Sequence, residues 1–338
     1  MAGGKVAAPV RVAIIGYGGA FNMGVTHGRS MEKTGLMKVV AVCDLDEKRL
    51  AVAQEDFPAA KVYTDVATML AAGGLDLCVI ILPHNAHAPV AIACAEAGCH
   101  VVVEKPMCLN DEEAQAMIAA ADKAGVMLSV FHNRRWDGDF VTLRRLICED
   151  KLIGDVFHVE MFGGGYGKPG DWWRSRKEIS GGAFFDWGAH YLDWLLQILP
   201  QKITGVTGFF HKLKWPDVSN EDNVEAAIRF EDGCVAHVQM SSLAMVGRER
   251  WRILGTEGAI VSGDQSFTVT TTLKGHRAVL NVPYGPSNWD GYYANVADHL
   301  TAGAPLIVRP EEARRVIAVM DYAERSSAAG HTLPLPTE

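Results

Sequence analysis

Apolar residues follow two rhythms along the 338-residue chain. Up to about residue 130, short unbroken apolar runs alternate with alanine-rich stretches of helical period. The runs are VRVAIIGYG from Val10, MKVVAVCDLD (37–46), LDLCVIILP (75–83), HVVVEKP (100–106) and VMLSVFHN (126–133). A run without polar alternation fits a strand buried on both faces. The stretches 47–56, 64–72, 88–97 and 111–124 would supply the covering helices. Five strands alternating with helices predict a doubly wound parallel sheet over residues 1–131.

Beyond residue 150 the rhythm changes. Strand-like segments follow one another at 155–164, 203–210, 223–230, 234–243, 248–255, 259–263, 266–273 and 277–282, with few helices between them. Glu231-Asp232-Gly233 is a hairpin turn signal. Successive strands without crossover helices predict a largely antiparallel sheet. Helices are expected at about 182–199 and 310–328. A further helix over 139–150 can belong to either half, and the second domain is taken as 132–338.

Composition narrows the function classes. The chain carries a net charge of −8 and no block of basic residues, which argues against nucleic acid. The start, MAGGKVAAPV, does not read as a secretory signal, and no stretch of eighteen apolar residues is present for a membrane span. The seven cysteines are scattered without a CxxC pair, the pattern of reduced thiols in a cytoplasmic protein. No His/Cys/carboxylate spacing suggests a metal site.

Three stretches carry chemistry. AIIGYGGAFNMG (13–24) follows the first strand, and Gly16 and Gly18 fit the first two glycines of G-x-G-x-x-G. The third position is Phe21, so Gly19 and Gly24 are the residues expected to relieve crowding. Such a turn aims backbone N–H groups at a pyrophosphate on a helix N-terminus; equally, it can be a glycine turn and nothing more. Asp44 ends the second strand, where a carboxylate bonds ribose hydroxyls and repels a 2′-phosphate. It can also cap the following helix, and the two roles can coexist. The expectation is NAD rather than NADP.

The second stretch places Lys105-Pro106 at the tip of a buried valine strand, at the sheet edge where ligands bind in open α/β sheets. The third, SGGAFFDWGAHYLDWLLQILP (180–200), spaces Asp186 and His190 at i, i+4, with Asp193 close to the same helix face. A carboxylate beside an imidazole orients it and raises its basicity. A core histidine bonded to an aspartate gives the same pattern.

Taken in order, Gly16-x-Gly18, Glu104-Lys105-Pro106 and GGAFFDWGAH from Gly181 resemble the Gfo/Idh/MocA oxidoreductases. Pro83 and His87 in LPHNAH, and NRRWDGDF (133–140), match that pattern too, and the resemblance spans essentially the whole chain. It implies a Rossmann domain followed by an α/β domain whose open sheet forms a homodimer or homotetramer face. It implies a nicotinamide-dependent enzyme acting on sugars, inositols or related polyols, and a cis Lys105–Pro106 bond. By the resemblance Lys105 bonds the reacting hydroxyl, His190 exchanges its proton, and Asp186 contacts substrate or tunes the histidine. The cofactor would lie along Gly16, Gly18, Gly19, Ala20, Phe21, Asp44, Pro83, His87, Glu104 and Lys105.

Other residues are candidates for substrate contact. Tyr166, Lys168, Trp172, Trp173 and Arg174 lie in a loop rich in glycine, aromatics and bases, which can equally be a packed loop closing over the sheet, and Asp193 lies on the histidine helix. Arg134 and Arg135 can contact an acidic substrate or form structural ion pairs, and ion pairs are the favoured reading. Two other readings compete with the dehydrogenase. One is a redox-neutral glycosidase or lyase that holds NAD and passes through a keto-sugar. The other is a non-catalytic NAD-binding regulator, against which the retained Lys105, Asp186 and His190 argue.

Overall fold

The computed structural model describes residues 5–18 and 21–335, so Gly19 and Ala20 of the glycine turn lie outside the described residues. The strands are β1 (Val10–Ile15), β2 (Met37–Cys43), β3 (Lys61–Tyr63), β4 (Leu77–Ile80), β5 (His100–Val103), β6 (Leu128–Val130), β7 (Val156–Gly164), β8 (Ile203–His211), β9 (Asn223–Phe230), β10 (Val235–Ser241), β11 (Trp251–Gly255), β12 (Gly258–Ser262), β13 (Ser266–Leu273) and β14 (His276–Pro283). The helices are α1 (Met23–Lys33), α2 (Glu47–Asp56), α3 (Val66–Ala72), α4 (His87–Glu96), α5 (Asp111–Ala124), α6 (Gly138–Arg144), α7 (Lys177–Ser180), α8 (Gly188–Ile198), α9 (Asp290–Ala302) and α10 (Pro310–Ala329). Contacts divide the chain into two units, Met1–Asn133 with Asp290–Arg314, and Arg134–Trp289 with Arg315–Glu338. The sequence pattern predicts one domain over 132–338; Asp290–Arg314 packs instead with the first unit.

The first unit is built on a parallel sheet of order β3-β2-β1-β4-β5-β6. Five of these strands follow from the apolar runs. The short edge strand β3 does not, because its three residues are not buried and carry no apolar run. Val101, Val102 and Val103 are wholly buried, and Val102 pairs with Val79 on one side and Ser129 on the other. The chain order reverses between β1 and β4, and this puts their carboxyl ends at the crevice where doubly wound folds bind ligands. Asp46, not Asp44, caps α2, its side chain accepting from the Lys48 N–H at 2.9 Å.

The second unit is an eight-stranded sheet of order β14-β13-β12-β11-β7-β10-β9-β8. It is antiparallel except where β10 lies parallel to β7. Alternation is strict in β10, with Ala236, Val238 and Met240 buried on one face while His237 and Gln239 are half-buried on the other. The expected helix over 182–199 is broken. A 3-10 turn, Ala183–Phe185, precedes α8, and Asp186 ends that turn with φ −81° and ψ −81°. Asp186 and His190 therefore do not share a helix face.

Candidate active site

The glycine turn leaves β1 at Gly16, whose φ is +90°. A Cβ there would stand 2.2 Å from the Ile81 carbonyl oxygen at the end of β4, so only glycine fits. At Gly18 a Cβ would meet nothing within 4 Å, which leaves the backbone approachable. Gly24 takes up the crowding: a Cβ there would meet the Tyr17 ring at 2.5 Å. Tyr17 itself is buried, and its hydroxyl donates to Asp56 at 2.8 Å. Burial, helped by Asp56, pushes its phenol well above the usual range. Phe21 is 56% exposed, and α1 begins two residues later with no acidic residue in its first turn. This is an N-terminus suited to an anion. Asp44 is half-buried at the end of β2, where its carboxylate accepts the N–H of Tyr17 at 2.5 Å and of Asp46 at 2.9 Å.

The Lys105–Pro106 peptide is cis, just beyond β5. Two arrangements hold it. Glu104 takes an N–H from Lys105 through one carboxylate oxygen at 2.9 Å and meets His27 Nε2 through the other at 3.0 Å. His27 in turn bonds the hydroxyl of Tyr293 from α9. Burial alone would raise the Glu104 carboxyl, but the His27 bond, the Lys105 charge and the Lys105 N–H outweigh it and hold the group below its ordinary value. On the other side His87, fully buried, lies between the carbonyls of Pro106 (2.8 Å) and Leu82 (2.9 Å). Burial pushes this imidazole below its ordinary value despite both carbonyls. Through these two carbonyls the ring braces the turn against the end of β4. Pro83 opens the short turn between them. The Lys105 side chain is half-buried.

In the second unit Asp186 accepts from Arg174 Nη1 at 2.7 Å. The Arg174 guanidinium lies 5.3 and 5.1 Å from the ring centres of Trp172 and Trp173. His190, in the first turn of α8, is 5% exposed. Its ring meets Trp187 edge-on at 5.5 Å and lies nearly parallel to Trp194 at 6.3 Å. A cavity of about 520 Å³ has walls that include Trp172, Arg174, Asp186, Trp187, Tyr191 and Glu221. Burial pushes the Tyr191 phenol up although Arg250 opposes it.

The remaining substrate candidates fall elsewhere among the described residues. Tyr166 bonds Lys214, and Lys168 pairs with Asp217 at the surface. Trp172, rather than Trp173, faces the cavity. Asp193 is buried and forms a bidentate pair with Arg135, closest approach 2.6 Å. This ties α8 to the turn at Asn133–Trp136. Arg134 pairs with Asp137 at 3.1 Å. His27 and Tyr293, which no sequence motif marks, lie 266 positions apart in the bond they share. The one trace of His27 was a polar residue on the buried stripe of α1, with Gly24, Gly28 and Met31.

Comparison with known proteins places both units. Residues 10–132 match the oxidoreductase family with an NAD-binding Rossmann fold, and residues 140–261 match the GFO/IDH/MocA C-terminal domain. The chain is 26% identical to scyllo-inositol 2-dehydrogenase (NADP(+)) IolW of Bacillus subtilis, over 96% of each chain. It is 25% identical to myo-inositol 2-dehydrogenase of Thermotoga maritima, over 94% of this chain and 96% of that one. Among solved structures, an NAD-binding protein from Listeria innocua superposes with a TM-score of 0.83 at 30% identity, over 96% of this chain and 97% of the other.

Proposed function

The chain belongs to the GFO/IDH/MocA oxidoreductase family, and from that premise we propose that it is an NAD-dependent dehydrogenase of a secondary hydroxyl in an inositol, sugar or related polyol. One observation carries the reading. Lys105 stands at the carboxyl end of β5 on a turn fixed from both sides, by Glu104 with His27 and by His87. A surface lysine beside a turn proline needs no such bracing.

The residues present fit the dinucleotide. Gly16, Gly18 and the N-terminus of α1 would hold the pyrophosphate, and the open space at Gly18 lets it approach. Asp44 would take the ribose hydroxyls, and its charge disfavours a 2′-phosphate. When bound, the nicotinamide supplies the hydride acceptor. Lys105 then donates to the substrate oxygen and stabilises the alkoxide as it develops. His190 removes the hydroxyl proton and returns it in the reverse direction. Asp186 bonds the substrate from the cavity wall, held in place by Arg174. Asp193 acts at one remove, anchoring α8 through Arg135.

Lys105→Met and His190→Asn are each expected to lower kcat by about 10²-fold or more, the range of positioned proton-transfer groups. Steady-state kinetics on a responsive polyol checks this. An unchanged kcat in either variant overturns the assignment.

The oligomer expectation also enters as a proposal. One face of the large sheet is built from half-buried polar residues, including His158, Glu160, His237 and Gln239. A second copy of the chain is the proposed cover.

A further inference from the structure

The second unit holds another cavity, of about 950 Å³, larger than the one around Asp186 and Arg174. Arg250 lines both. They are linked a second way, because the Arg134 guanidinium lies 5.1 Å from the ring centre of Trp187, in the wall of the first cavity, and 5.0 Å from that of Trp289, in the wall of the second.

The larger cavity is an open cleft, lined mostly by exposed residues of the segments 247–250, 263–265 and 285–289, and hydrogen bonds frame it. Asp137 accepts from Trp289 Nε1 and from Arg134. Asn288 N–H donates to the Trp136 carbonyl at 3.0 Å, and Gly138 N–H to Ser287 at 3.0 Å. A Cβ on Gly138 would stand 1.7 Å from the Gly285 carbonyl oxygen, so the two segments touch backbone to backbone. Across the space Arg250 donates to Asp139 at 2.8 Å, and the Tyr284 hydroxyl donates to Gly263 at 2.6 Å.

The chemistry of the lining selects its ligand. Guanidiniums of Arg134, Arg248 and Arg250 are nearly balanced by the carboxylates of Asp137, Asp139, Glu249 and Asp264. A near-neutral lining disfavours a phosphate, which needs a net positive cradle. Planar two-pronged donors and acceptors do match pairs of neighbouring hydroxyls. Trp289, 47% exposed, offers a ring face of the kind that packs on the C–H side of a sugar ring.

We propose that this cavity is a second sugar subsite, which binds the neighbouring ring of an extended substrate whose reacting ring occupies the cavity at Asp186 and Arg174. The substrate class is then a glycoside or disaccharide rather than a single ring. The inference rests on the dehydrogenase reading of the Asp186 cavity.

The test uses calorimetric titration of the full chain with myo-inositol, galactosyl-myo-inositol, glucose, maltose and cellobiose, each with NAD present. At least one two-ring sugar should bind tenfold or more tightly than its single ring. In the Glu249→Gln/Asp264→Asn variant, whose changes lie on exposed residues, that ratio should fall towards one. A separate Trp289→Ala variant should lower it as well. Two-ring and single-ring sugars binding equally well, or a ratio that survives both variants, overturns the subsite and leaves the dehydrogenase reading standing. UDP binding more tightly than every two-ring sugar, and lost on Arg248→Gln, reassigns the cavity to a nucleotide and overturns it too. Failure of every sugar to bind removes both readings together.

Discussion

Lys105 owes its place to side chains that have no role in the proposed hydride transfer. The bonded series Tyr293, His27 and Glu104 ends on the Lys105 N–H. The depressed Glu104 carboxyl makes this series a source of pH-dependent stability. A group whose folded value lies below its unfolded value stabilises the fold above the unfolded value. The contribution disappears as pH falls through the folded one. For Glu104 the effect is complete above the ordinary carboxylate value of about 4.3 and lost in more acid solution. Glu104→Gln should therefore be less stable than the parent at neutral pH, and the difference should shrink as the pH is lowered below 4. Urea midpoints across that range check it; a constant difference would contradict it. Of these residues the sequence singled out Lys105 and Glu104, since a cation after a buried strand is a local signal. The His27–Tyr293 bond left none, because a bond across 266 positions exists only once α9 has packed on α1.

At the level of elements the apolar runs foretold the parallel sheet because a strand buried on both faces must be apolar along its whole length. They foretold the second sheet less well in detail. Residues 248–250 read as strand yet β11 begins at Trp251. Helical spacing misled at Asp186, since i, i+4 places two residues on one face only if the helix is unbroken between them. The break lies at the 3-10 turn Ala183–Phe185 and the non-helical Asp186, and Gly188, where α8 begins, leaves room for the Phe184 ring, which a Cβ there would meet at 2.4 Å. The position of α8 rests instead on the buried Arg135–Asp193 pair. Removing one partner leaves a buried charge, so Arg135→Met should cost about 3–5 kcal/mol of unfolding free energy. Arg135→Met/Asp193→Leu should regain much of it. Chemical denaturation of both variants decides this; a double variant no better than the single would show that the pair does not act as a unit.

For the whole molecule the two matched segments, 10–132 and 140–261, each carry residues to which the proposal gives a role. One unit presents the glycine turn and Lys105; the other presents Asp186, Arg174 and His190. The half-polar outer face of the large sheet belongs to this scale as well. Light scattering should give a mass near two or four times 36.6 kDa. Paired arginine substitutions at Gln239 and Ala227 should lower it, and a monomer at every concentration would remove the sheet-to-sheet proposal.

The most direct test of the dehydrogenase is absorbance of the reduced nicotinamide after the protein is mixed with excess NAD, and in parallel NADP, and a panel of inositols, sugars, sugar acids and glycosides. The account predicts NADH accumulating far beyond the enzyme concentration with at least one compound, and faster from NAD than from NADP. NADH capped at one per protein chain while substrate continues to disappear would contradict it, because the hydride would then be returned within each turnover.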